Sequence, residues 1–79
     1  MSEDLREAML GQISAFHANI ATLTTAADEL VRSANLLDGR PTAALMRDLA
    51  RRQRVKVLEM QGQLAALTQT YAGRFRREA

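Results

Sequence analysis

Residues 9–37 read MLGQISAFHANIATLTTAADELVRSANLL, and the spacing of their apolar side chains decides the fold. Met9, Ile13, Phe16, Ile20, Leu23, Ala27, Leu30, Ala34 and Leu37 follow one another in alternating steps of four and three. That is an unbroken heptad series. Ile13, Ile20, Ala27 and Ala34 form one column; Met9, Phe16, Leu23, Leu30 and Leu37 form the other. The flanks of such a seam usually carry Glu and Lys, but here they hold Leu10, Gln12, His17, Asn19, Thr24 and Val31. From Ala8 to Ala27 there is no charged side chain, with Glu7 closing the stretch at one end and Asp28 at the other. A helix with so weak a polar face is usually covered on more than one side.

Working outward, Ser2 is a suitable N-cap, and Glu3, Asp4 and Glu7 suit the positive end of a helix dipole. Downstream, Leu37-Asp38-Gly39-Arg40-Pro41-Thr42 is the only strong punctuation in the chain. Gly39 suits the left-handed position after a helix, and Pro41 suits the first turn of the next, where no amide hydrogen is needed. Thr42 or Asp38 could cap it. A second apolar stripe follows: Leu45, Leu49, Gln53, Val57, Met60, Leu64, Leu67, Tyr71 and Phe75. Its steps are mostly four at each end, so the stripe drifts from a strict heptad and predicts local straightening of the supercoil. Gln53 is either a polar register device on the seam or a residue at an exposed edge. The sequence thus predicts an all-α protein of one domain. A helix over about 3–37, a turn at 38–41 and a helix over about 42–76 form an antiparallel, coiled-coil-like hairpin.

Charge supports antiparallel pairing. Residues 1–39 carry two arginines against six acids, and residues 40–79 carry nine bases against three acids, within a net charge of +2. If the chain folds near Gly39 and Arg40, residues whose numbers sum to about 80 lie level. Asp28 and Glu29 then face Arg51 and Arg52, and Glu3, Asp4 and Glu7 face Arg77, Arg76 and Arg74. Met60–Gly73 is also free of charge and lies alongside the first uncharged stretch. One half of the hairpin, bounded by charged residues, is therefore nearly uncharged on both helices, and Gly11, Gly62 and Gly73 within it permit close backbone approach or a groove.

The chemistry of common active sites is missing. There is no Cys, so no disulfide or thiolate metal site. His17 is the only imidazole; Ser14 lies one turn away, but no third group orients the pair. No carboxylate or histidine cluster has metal-ligand spacing, and no glycine-rich loop opens a helix after a strand. The reading is of a non-enzyme without cofactor or metal. Ser2-Glu3-Asp4 is acidic where a secretory n-region is basic. The twenty uncharged residues have the length of a membrane span, but Gln12, His17 and Asn19 interrupt them at high cost. A cytoplasmic protein is expected. Arg51-Arg52-Gln53-Arg54-Val55-Lys56, with Arg47 a turn earlier, could bind phosphates of a nucleic acid. Acidic neighbours at Asp28, Glu29, Asp48 and Glu59, and the lack of an aromatic platform for bases, weigh against that alternative.

Two helices bury one seam, and chains of this size seldom reach stability on one seam alone. Either hairpins dimerise into a four-helix bundle, or the hairpin clasps an apolar helix of another protein. The anchors expected for such a partner are Leu10, Ile13, Phe16, His17, Leu64, Leu67, Tyr71 and Phe75. Early heptads, the Gly39-x-Pro41 break and Leu45-Met46-x-x-Leu49 after it give the chain a likeness in outline along its whole length. It resembles the small chaperones that hold needle subunits in bacterial type III secretion and, more distantly, the needle subunits themselves. The resemblance implies a cytoplasmic chaperone that keeps an aggregation-prone subunit soluble together with a second, larger chaperone. By position, Leu64, Leu67, Tyr71 and Phe75 would carry the contact. The chain departs from needle subunits in lacking their tyrosine-rich start to the second helix and in placing Arg51-Arg52-Gln53-Arg54 there.

Overall fold

In the computed structural model, which describes residues 2–75, helix α1 (Ser2–Leu36) and helix α2 (Pro41–Phe75) run antiparallel. They form a rod of 57 × 17 × 15 Å. Glu3 and Asp4 sit in the first turn of α1, where the dipole favours them. The cap expected of Ser2, and Arg76 and Arg77, fall outside the described side chains. In the connection, Gly39 has φ +83°, a conformation that strains any residue with a Cβ. The Leu37 amide donates to the carbonyls of Ser33 and Ala34, and the Arg40 amide donates to the carbonyl of Leu37. Among the described residues no side chain caps the start of α2. The Arg40 carbonyl accepts from the Ala43 amide at 3.0 Å, while the Asp38 carboxylate accepts from Arg47 instead.

The helices are equally long, and Leu36 and Pro41 flank the turn, so residues whose numbers sum to 77 lie level. The register is therefore offset by three residues from the sum of 80 expected for a fold at Gly39 and Arg40. The four-residue turn is centred one to two residues earlier. Every member of the heptad series from Met9 on α1 to Leu37, just past its end, is buried or half-buried. On α2 the seam differs from the expected stripe. Ala43, Ala50, Val57 and Met60 are buried and Met46, Gln53, Leu64, Leu67 and Tyr71 half-buried, whereas Leu45 and Leu49 are exposed. The seam 43-46-50-53-57-60-64-67-71 is a strict heptad, so the predicted drift is absent until the last step to Phe75. Each step of four turns a stripe by about 40°, so Leu49 and Leu45, one and two such steps before Gln53, lie off the seam by about 40° and 80°. The large leucines are passed over because small alanines hold the register.

Ala27 and Ala34 are each 0% exposed, and their level partners Ala50 and Ala43 are 2% and 1% exposed. Away from the turn the pairs become larger: Ile20 with Val57, Ile13 with Leu64, Arg6 with Tyr71. The alanine pairs let the axes approach toward the short end of the usual range of about 8–10 Å. In the other column Gln53 lies one residue off level with Leu23. Its Oε1 is buried without a hydrogen-bond donor, so Gln53 is a seam residue and not a solvent-facing edge.

Candidate interaction surface

Helix periodicity gives the rod two broad faces, one on each side of the seam. The first is marked by ion pairs. The Arg54 guanidinium donates to Asp28 at 3.2 Å, and Arg47 donates to Asp38 at 3.0 Å and to Asn35 at 3.4 Å. This ion-pair face also carries Leu10, His17 and Phe75. The second, the leucine face, carries Leu5, Ala26, Ser33 and Leu36 of α1 with Leu45, Leu49, Arg52 and Lys56 of α2. Shallow depressions follow the same division. One on the ion-pair face is lined by Val31, Arg47, Ala50, Arg51 and Arg54. One on the leucine face is lined by Ala26, Glu29, Leu30, Ser33 and Gln53.

The ion pairs differ from those expected. Asp28 meets Arg54, not Arg51 or Arg52, and these two bind Asp48 of their own helix at 3.8 and 2.9 Å. Glu29 makes no ion pair among the described residues. The cause is side-chain direction. Every Cα–Cβ bond tilts toward the N-terminus of its helix, so α1 side chains lean away from the turn and α2 side chains lean toward it. Arg54 thus reaches a carboxylate whose Cα lies about 7 Å nearer the turn. All four pairs are solvent-exposed and each contributes on the order of 0–1 kcal/mol.

The eight anchor residues are divided by the structure. Leu10 and His17 are exposed. Ile13, Leu64, Tyr71 and Phe75 are half-buried and lie along the ion-pair side of the seam, toward the end away from the turn. Phe16 and Leu67 are half-buried as well, but their column opens toward the leucine face. At this end Arg6 Nε donates to the Tyr71 hydroxyl at 3.0 Å. The Tyr71 and Phe75 rings stack at 5.0 Å with a 42° tilt, an arrangement favourable for aromatic pairs. A charge-free band covers residues 8–17 and 60–69, which are level. It is about 15 Å long.

Gly11, Gly62 and Gly73 do not serve close approach within the hairpin. A Cβ at any of them would meet nothing within 4 Å. Of the exposed aliphatics, Leu36, Val55 and Leu58 were not singled out by periodicity, and Leu45 and Leu49 were read as seam residues. The strict heptad from Ala43 would have revealed two of them, because it leaves Leu45 and Leu49 off the seam. Among the described residues no three His, Asp or Glu side chains gather as a metal site. No described helix is long and apolar enough to cross a membrane.

No protein-family model, curated protein or solved structure matches the chain.

Proposed function

We propose that the chain is a non-enzymatic protein–protein interaction module, a small chaperone or adaptor that buries an apolar helix of a partner. The observation that supports this reading is the state of the core. Among the described residues no large side chain is fully buried, and the most enclosed positions are four alanines near the turn. Toward the other end Ile13 and Leu64 remain half-open along the charge-free band, and Tyr71 and Phe75 half-open beyond it. A partner helix laid along these side chains, with Leu10 and His17 as the rim of the groove it would occupy, would complete the burial by helix-in-groove packing. At about 25 cal/mol per Å2 of apolar surface, covering several such side chains is worth several kcal/mol before association costs. The type III secretion setting and a cytoplasmic location are supported by the resemblance in outline.

The test is capture of the partner from the source cells by the tagged chain, with two exposed positions altered in turn. Leu10→Asp is expected to lose the partner, and Arg51→Glu is expected to keep it. The reverse pattern, with affinity falling steeply as salt rises, would identify a nucleic acid on the basic strip and sink the proposal.

A further inference from the structure

The leucine face lies across the seam from the groove assigned to the partner helix and fits a different occupant. Leu36, Leu45 and Leu49 are 86%, 60% and 40% exposed and gather near the turn on this one face. Beside them Glu29 of α1 and Lys56 of α2 make no ion pair among the described residues. Arg52 is held only by Asp48 of its own helix. Around the leucine cluster the free acid, Glu29, is on α1 and the bases are on α2; Glu59 of α2 lies about two turns beyond Arg52, farther from the cluster. An acid on one helix and bases on the other is the pattern a self-complementary surface requires.

We propose that a second copy of this chain covers the leucine face, related by a two-fold axis parallel to the rod, so that both turns lie at the same end. This symmetry lays α1 of each copy along α2 of the other. Within one hairpin, Asp28 reaches Arg54 with a stagger set by the tilt of the side chains, their numbers summing to 82. Glu29 and Arg52 of the second copy sum to 81, so the same tilt brings them together. Leu36 and Leu45 of the second copy share that sum and close the apolar cluster at the turn end. A two-fold axis across the rod would instead lay α2 on α2, setting Arg52 and Lys56 among their own kind and the leucine cluster over the far end.

Two more observations favour a second copy. Gln53 Oε1 is buried and lacks a donor. The proposed axis brings the two Gln53 side chains to one level in the centre of a four-helix bundle, where a side-chain rotation lets the amide NH2 of each reach the oxygen of the other. A single polar layer of this kind fixes register and oligomeric state. The face measures 57 by 17 Å, so full-length contact covers roughly 1,000 Å2 per copy, the size of a stable interface. The inference does not depend on the partner-helix reading, because the two use opposite faces.

Sedimentation equilibrium of the purified full chain tests it, with circular dichroism to verify that each variant remains helical. The wild type is expected to be a dimer. Glu29→Arg and Arg52→Glu, both at exposed positions, are each expected to weaken the dimer at least about tenfold, and the double variant to recover to within about threefold. A monomeric wild type overturns the proposal. So does a dimer that either single variant leaves intact, or one that the double reversal fails to restore. Leu49→Asp is a second probe of the same contact and is expected to give a monomer; a helical dimer there is equally fatal.

Discussion

Ala27 of α1 and Ala50 of α2 lie level across the seam, 0% and 2% exposed. This pairing, repeated by Ala34 and Ala43, sets how closely the helices run near the turn. Ala50→Leu keeps helix propensity but puts a large side chain where only a methyl fits. The expected loss is about 1–3 kcal/mol, read as a lower melting temperature by circular dichroism. Ala65→Leu, at an exposed position, serves as the control and is expected to change stability little. Equal melting temperatures for the two variants would show that the alanine layers do not set the approach.

The helix glycines make the opposite prediction. Gly62 has nothing within 4 Å of where a Cβ would stand. Gly62→Ala is expected to stabilise the isolated chain by about 1 kcal/mol, several degrees in a domain of this size. If the substitution lowers the melting temperature, another copy or a partner is already in close contact at that position.

Asp28→Asn removes the charge that pairs with Arg54, leaving at most a neutral amide oxygen as acceptor, at a site where both side chains are about half exposed. The expected cost is on the order of 0.2–1 kcal/mol at low salt, shrinking toward zero at about 1 M salt. A larger loss that persists in high salt would mean that the carboxylate has a structural role beyond the ion pair.

Tyr71→Phe separates two contributions at the far end of the rod. It keeps the ring contact with Phe75 and removes the bond from Arg6. That exposed bond is expected to contribute no more than about 1 kcal/mol. Tyr71→Ala, which loses the ring as well, is expected to cost clearly more in the same melting experiment. If the two variants melt together, the ring is not part of the core.

Much of the fold was legible because a heptad repeat is a property of the chain itself. Met9 to Leu37 could only present one stripe, and Gly39 and Pro41 could only end one helix and open another. The candidate groove was legible in part. Ile13, Leu64, Tyr71 and Phe75 could be named from spacing, but their division from Phe16 and Leu67 could not, because it depends on which column opens to which side. The start of α2 was misread for a related reason. Leu45 and Leu49 are the larger apolar side chains, and local spacing alone gives no cause to prefer Ala43, Met46 and Ala50.

What the sequence determined by itself was the helical hairpin, its antiparallel sense and the presence of a charge-free band on both helices. Only the tertiary structure decided the register, the choice of Asp28 for Arg54, and the exposure of Leu36, Leu45 and Leu49. The physical reason is that propensity and periodicity act along one chain, whereas these choices arise between two. Small side chains on both helices let the backbones close at the alanine layers. That closure sets the register, and side-chain tilt then selects the partners within reach.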